Sequence, residues 1–160
     1  MTAAYGGEHT TQGEFLMPTI HVERVIAAPL EQVFDWLADP AAIGTAPLVL
    51  KAGWAKGSSG PAVGAVRAVT GAGMWFREEI TAYDRPNSYS YLIIGSFPPF
   101  HHDGGTLTFT RRGEGTHVDW LTTYTHPALS GGKAMEAVSS RLLPWNFRAI
   151  LANCAKALEH

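Results

Sequence analysis

Apolar and polar positions alternate with the period of a strand along most of this chain, and follow the period of a helix in two stretches. Thr19 to Ile26 (TIHVERVI) alternates and predicts a first strand, ended by Ala28-Pro29. Proline suits the opening turn of a helix. Leu30, Val33, Phe34 and Leu37 then recur at i, i+3, i+4 and i+7, with Glu31, Gln32 and Asp35 on the watery side, which predicts a short amphipathic helix. Asp39-Pro40 stops it, and Pro40 to Ala46 predicts one more helical turn. Leu48 to Lys56 reads as a second strand, and Gly57-Ser58-Ser59-Gly60-Pro61 as a loop.

Val63 to Tyr83 organises the rest. Two runs rich in β-branched and aromatic residues flank Gly71-Ala72-Gly73, the signature of a hairpin. A two-residue loop at Ala72-Gly73 sets Val69 opposite Phe76, Arg67 opposite Glu78 and Ala65 opposite Ile80; a three-residue loop would set Arg67 against Arg77, which like charge disfavours. The first register puts an opposite-charge pair on a face otherwise made of Val63, Val69, Phe76 and Ile80. Two charges are tolerable in such a place only as partners, and removing one member of a dry pair costs ~3–5 kcal/mol. Such a pair either fixes the fold or waits in a pocket for a polar group of a ligand.

Ser88 to Gly95 (SYSYLIIG) predicts a strand entered from the Asp84-Arg85-Pro86-Asn87 turn, with Tyr91 beside Ile80 and Ile93 beside Glu78. Ser96 to Gly105 (SFPPFHHDGG) has neither period and reads as a loop, either functional or simply packing its rings on the sheet. Thr106 to Arg112 and Thr116 to Thr125 alternate about a Gly113-Glu114-Gly115 turn. In the second, Val118, Trp120, Thr122 and Tyr124 share a face opposite His117, Asp119 and Thr123. From Gly131 the chain predicts a helix of ~40 Å. Its apolar stripe is Met135, Val138 and Leu142 before Pro144, and Leu143, Phe147, Ile150, Leu151, Cys154 and Leu158 after it. The stripe moves by one residue at a proline that cannot donate to the carbonyl of Ser140, which predicts a kink.

The chain has 160 residues, 46% hydrophobic and 16% charged, enough for one domain with a real core. Residues 1–18 lack a sustained apolar period and predict a flexible tail; residues 19–157 predict the single folded domain; 158–160 (Leu158-Glu159-His160) resemble the junction of a histidine tag. A net charge of -2 with no run of Lys or Arg argues against nucleic acid as a partner. The lone Cys154 excludes an internal disulfide framework and a Cys-based zinc site, and fits a reducing compartment. No apolar run approaches the ~20 residues that span a bilayer, and the N-terminus lacks the pattern of a signal peptide. The expectation is a cytoplasmic protein without a membrane span.

Strand, two short helices, six strands and a long helix make an α+β protein in which the last helix covers one face of an antiparallel sheet. The run VERVIAAPLEQVFDWLADP, the G-x-x-R of Gly64 to Arg67, the REEITAYDRP of Arg77 to Pro86, and EGTHVDW followed by Pro127 resemble the START-related (SRPBCC) ligand-binding superfamily, in its polyketide cyclase/dehydrase-like branch. The resemblance covers about Thr19 to Ala157. It implies the helix-grip fold, a curved seven-stranded antiparallel sheet wrapped round a long C-terminal helix, with a hydrophobic cavity between them. Plant abscisic-acid receptors, distant members, gate that cavity with loops that correspond to Thr70 to Gly73 and Ser96 to Asp103 here, and Glu78 corresponds to a cavity-facing glutamate. The Gly71-Ala72-Gly73 turn is too short for a comparable gate and the frequent tyrosine near Asp103 is absent, so hormone reception is not implied.

No catalytic signature stands out: there is no dinucleotide motif, no G-x-S-x-G, and His101-His102 lack further metal ligands at useful spacing. No cofactor or metal is expected. The reading that follows is a binding protein for a small, largely hydrophobic molecule, lipid-like, polyketide or aromatic. Val69, Phe76, Ile80, Tyr91, Ile93 and Leu107 would form walls together with Phe109, Trp120, Tyr124, Phe147 and Leu151. Arg67 and Glu78 would be the polar anchor, and Phe97, Phe100 and His102 the lid. For each aromatic taken alone, simple core packing explains it as well. The alternative is a cyclase/aromatase-like enzyme in the same cavity, needing a proton acceptor and enolate donors. Glu78 and His102 with Asp103 are its catalytic candidates, with Arg67 and Tyr91 or Tyr124 as donors. Tight pairing with Arg67 would make Glu78 a weak base. A protein-interaction role, a homodimer included, stays open without a specific signal.

Overall fold

The computed structural model describes residues 19–99, 101–125 and 132–160, and the tail expected over residues 1–18 lies outside them. The elements in chain order are β1 (Thr19–Ile26), α1 (Leu30–Ala38), α2 (Pro40–Ile43), β2 (Val49–Trp54), β3 (Val66–Gly71), β4 (Met74–Asp84), β5 (Ser88–Phe97), β6 (His101–Arg112), β7 (Gly115–Thr125) and α3 (Gly132–Leu158). The strands form one curved antiparallel sheet in the order β1-β7-β6-β5-β4-β3-β2, gripping α3: the helix-grip fold expected.

Local chemistry explains the boundaries. Pro29 stands just before α1 in extended conformation rather than in its first turn. Asp39 caps α2, its carboxylate accepting from the Ala41 amide at 2.9 Å while Pro40 opens the helix. The central hairpin has the expected register, Arg67 opposite Glu78 and Val69 opposite Phe76. Across the next turn Ile80 faces Tyr91 and Glu78 faces Ile93. Val63, expected on the apolar face, is 66% exposed because β3 begins only at Val66.

The stretch Ser96 to Gly105, expected as a loop, is mostly strand: β5 runs to Phe97 and β6 begins at His101. Its alternation was hidden because the ladder between β5 and β6 ends at Tyr91–Gly105, beyond which the strands part. Across that opening the His102 ring takes the place of a backbone acceptor, its Nδ1 accepting from the Ile93 amide at 2.9 Å. Gly105 permits this packing, since a Cβ there would collide with the Tyr91 ring.

The closed end of the molecule is dense. Phe34 of α1 meets Tyr83, Tyr89 and Phe109 edge-on with ring centroids 5.5, 5.7 and 4.9 Å away. Ile150, Leu151, Cys154 and Ala155 of α3 complete the same core. Glu159, in the segment taken as a tag remnant, accepts from the Ala27 amide at 2.9 Å and ties the end of α3 to the β1–α1 connection.

Candidate functional site

Between the sheet and the first half of α3 lies a cavity of about 250 Å³. Inward alternation on β4, β5 and β7 aims Phe76 and Glu78, Tyr89, Tyr91 and Ile93, and Trp120, Thr122 and Tyr124 toward it. α3 supplies Val138, Leu142, Asn146 and Ile150, four positions in one i+4 row. Two contacts bridge the gap: the Trp120 and Phe147 rings stack at 4.1 Å, and the Tyr124 and Ser139 hydroxyls meet at 3.0 Å. The rim is apolar and open, with Trp75 45%, Phe97 57%, Val138 51% and Leu142 40% exposed.

Arg67 and Glu78 form the charged spot on the wall. Arg67 Nη2 stands 2.7 Å from Glu78 Oε1, with the two side chains only 2% and 6% exposed. The contact is an ion pair by distance, yet Oε1 receives no aligned hydrogen bond and Arg67 Nε has no acceptor. The guanidinium lies over the Tyr89 and Tyr91 rings at 5.3 and 5.7 Å. It also approaches the last carbonyl of α1, Ala38 O, at 3.5 Å, while the Tyr89 hydroxyl donates to Leu37 O at 2.9 Å. Arg67 is thus both anchor of α1 and part of the wall. Burial raises the Glu78 carboxyl above the ordinary range, outweighing the opposing pull of Arg67. Pairing with Arg67 does pull the carboxyl down, as expected, and burial is what raises it on balance. Arg67 stays protonated, burial against its charge being overcome by Glu78 and the two tyrosines.

Behind the pair runs a hydrogen-bonded relay. Trp120 Nε1 donates to the Tyr91 hydroxyl at 2.9 Å, Tyr91 to Thr122 Oγ1 at 3.5 Å, and Thr122 to Gly104 O at 3.2 Å. His102 Nε2 lies 2.7 Å from Thr122 Oγ1. Because Nδ1 accepts from Ile93, the proton sits on Nε2 and donates to Thr122, which makes the ring neutral. Burial pushes His102 down to about 4. Its ring stacks on Tyr91 at 5.4 Å, so His102 belongs to the wall and not to a lid. Burial also raises the Tyr91 hydroxyl.

The structure sorts the sequence-derived candidates. Arg67, Phe76, Glu78, Tyr91, Ile93 and Phe97 line the cavity, as do His102, Trp120, Tyr124 and Phe147. Val69, Ile80, Leu107, Phe109 and Leu151 are buried but do not reach the described lining; they are packing residues. Phe100 lies outside the described residues. The pairing of His102 with Asp103 does not form, because successive strand residues face opposite ways: Asp103 is on the outer surface, 2.9 Å from His101 Nε2. For the same reason His101 and His102 cannot share a metal. Among the described residues the ligand-type atoms that do converge are those of His21, Glu23 and Asp119, within 4.8 Å of one another, on the outer surface away from the cavity.

Sequence reasoning passed over Tyr89 and Asn146. Tyr89 shares the face of Tyr91 and Ile93 by simple alternation, and Asn146 is the polar member of an otherwise apolar i+4 row. The wall from α1, α2 and β2, including Leu37, Ile43 and Val49, carried no signal of its own.

The chain belongs to a ligand-binding and enzyme family: residues 17–159 match the model of polyketide cyclase / dehydrase and lipid transport proteins. Solved structures agree on the fold. The Zhui aromatase/cyclase of a Streptomyces species has a TM-score of 0.68 at 17% identity over 88% of this chain and 94% of its own. Protein TTHA0849 of Thermus thermophilus has a TM-score of 0.68 at 21% identity over 87% and 95%. Ara h 8.0201 has a TM-score of 0.60 at 17% identity over 88% and 99%. Curated protein sequences yield no match. No helix among the described residues is long and apolar enough to cross a membrane.

Proposed function

We propose that this protein binds a small, largely apolar molecule in the cavity between the sheet and the first half of α3. One observation carries the reading: the cavity of about 250 Å³ has an apolar lining interrupted by a buried ion pair with unpaired polar atoms. A core built only for stability would fill that space, since voids forfeit dispersion contacts. Apolar walls supply affinity and the few polar groups supply orientation. Native mass spectrometry and thermal shift against a panel of hydrophobic compounds test this. Retained or stabilising ligands are expected; an empty protein unaffected by the whole panel would end the reading.

A second reading has its own support. Glu78 has a carboxyl raised by burial against the opposing pull of Arg67. This is the setting of a proton acceptor, and the family includes cyclases. His102 is less suited, both ring nitrogens being engaged. Under this reading Glu78→Gln abolishes turnover of a poly-keto thioester while binding persists, and an unchanged rate removes Glu78 from the chemistry.

A further inference from the structure

The polar atoms of the cavity wall specify the head group of the ligand. Among the described lining residues Arg67 and Glu78 are the charged ones. A guanidinium does not shed its proton, and an uncompensated buried charge costs several kcal/mol. The 2.7 Å contact is the length of a charge-assisted one. The pair is therefore ionised on both sides and neutral as a unit. His102 adds no charge, since its Nδ1 lone pair is spent on the Ile93 amide. The wall as a whole offers nothing to balance a charged ligand.

Two buried side-chain atoms in this wall have no polar partner, Arg67 Nε and Asn146 Oδ1, and Glu78 Oε1 touches Arg67 Nη2 without an aligned hydrogen bond. The Asn146 amide is oriented by its Nδ2, which donates to Leu142 O at 2.8 Å, so its oxygen is the unpaired end. The wall therefore leaves two acceptors and one donor short of an aligned partner. A carboxylate or phosphate only accepts and would leave Glu78 and Asn146 unmatched while bringing an unbalanced charge. A hydroxyl both donates and accepts, and it is neutral.

We infer that the cavity selects neutral apolar molecules bearing a hydroxyl, whether alcohol, phenol or enol, and rejects carboxylates of the same skeleton. This rests on the ligand-binding reading and narrows it. It separates hydroxylated aromatic or polyketide-like molecules from fatty acids and phospholipids, which an apolar cavity alone would not distinguish.

Three probes with one ring system test it: 2-naphthol, naphthalene and 2-naphthoate, titrated by calorimetry at pH 7. The expected order is naphthol tightest, naphthalene next and naphthoate weakest, with naphthol about tenfold or more tighter than naphthoate. Asn146→Leu should reduce the advantage of naphthol over naphthalene and leave naphthalene itself bound. Naphthoate binding as tightly as naphthol overturns the inference alone. Naphthol and naphthalene binding equally also overturns it, with the apolar-ligand reading intact. If none of the three binds while the hydrophobic panel is also without effect, the underlying reading falls, and this inference with it.

Discussion

The two halves of α3 are parts of one helix laid on one sheet, yet they face opposite fates. After Pro144 the apolar positions Leu151, Cys154 and Ala155 are at most 2% exposed and pack in one core with the aromatic cluster of Phe34, Tyr89 and Phe109. Before it, Val138 and Leu142 remain 51% and 40% exposed and look across the cavity at Trp120 and Tyr124. The difference comes from what the sheet side supplies. At the closed end α1 is wedged over the sheet, its last turn held by Arg67 and Tyr89, and fills the gap. At the other end β5 and β6 part, and of α1 only Leu37 reaches the cavity lining. Dense packing and open space are therefore housed at opposite ends of the same two layers.

The sharpest way to break this comparison is at the closed end. Phe34→Ala should cost ~3–5 kcal/mol in urea unfolding, because the cavity left among three rings cannot collapse. A cost below ~1 kcal/mol would mean the closed end is no better packed than the open one.

Acid probes the boundary between the two ends. His102 titrates at about 4 when folded against an ordinary 6.5. Between those values the unfolded chain binds the extra proton, so stability is full above pH 6.5, falls as pH drops and levels off near pH 4. The loss is on the order of 3 kcal/mol. Glu78, shifted up, slopes the other way, but it does so in any His102 variant as well. His102→Gln, whose amide can accept from Ile93 and donate to Thr122, should flatten the wild-type decline over pH 4–6.5 in parallel thermal melts. Identical pH profiles would show that the ring is not held neutral.

The smallest effect on stability belongs to the open end. Leu142→Ala should change unfolding free energy by less than ~1 kcal/mol, as for a half-exposed side chain. It should nevertheless weaken naphthalene binding measurably in calorimetry. Large destabilisation with unchanged binding would reverse the roles assigned to the halves of α3.

The order of the elements, the hairpin register and the meeting of Arg67 with Glu78 were legible in the chain. Strand period and turn residues act over a few positions, and like-charge repulsion chose between two registers. Ser96 to Gly105 was not legible, because an imidazole there replaces a backbone partner and prolines and glycines mask the alternation. The pairing of Asp103 was misread for a related reason: neighbours in a strand's sequence are on opposite faces.

By itself, then, the sequence determined the sheet, the helices and which residues turn inward. Whether an inward residue meets a void or a neighbour depended on how layers distant in sequence approach one another. Leu107, Phe109 and Leu151 carry the same inward pattern as Trp120, Tyr124 and Phe147, and only the placing of α1 against one end of the grip separates packed core from cavity wall. Periodicity reports the direction of a side chain, whereas the space in front of it belongs to the tertiary structure.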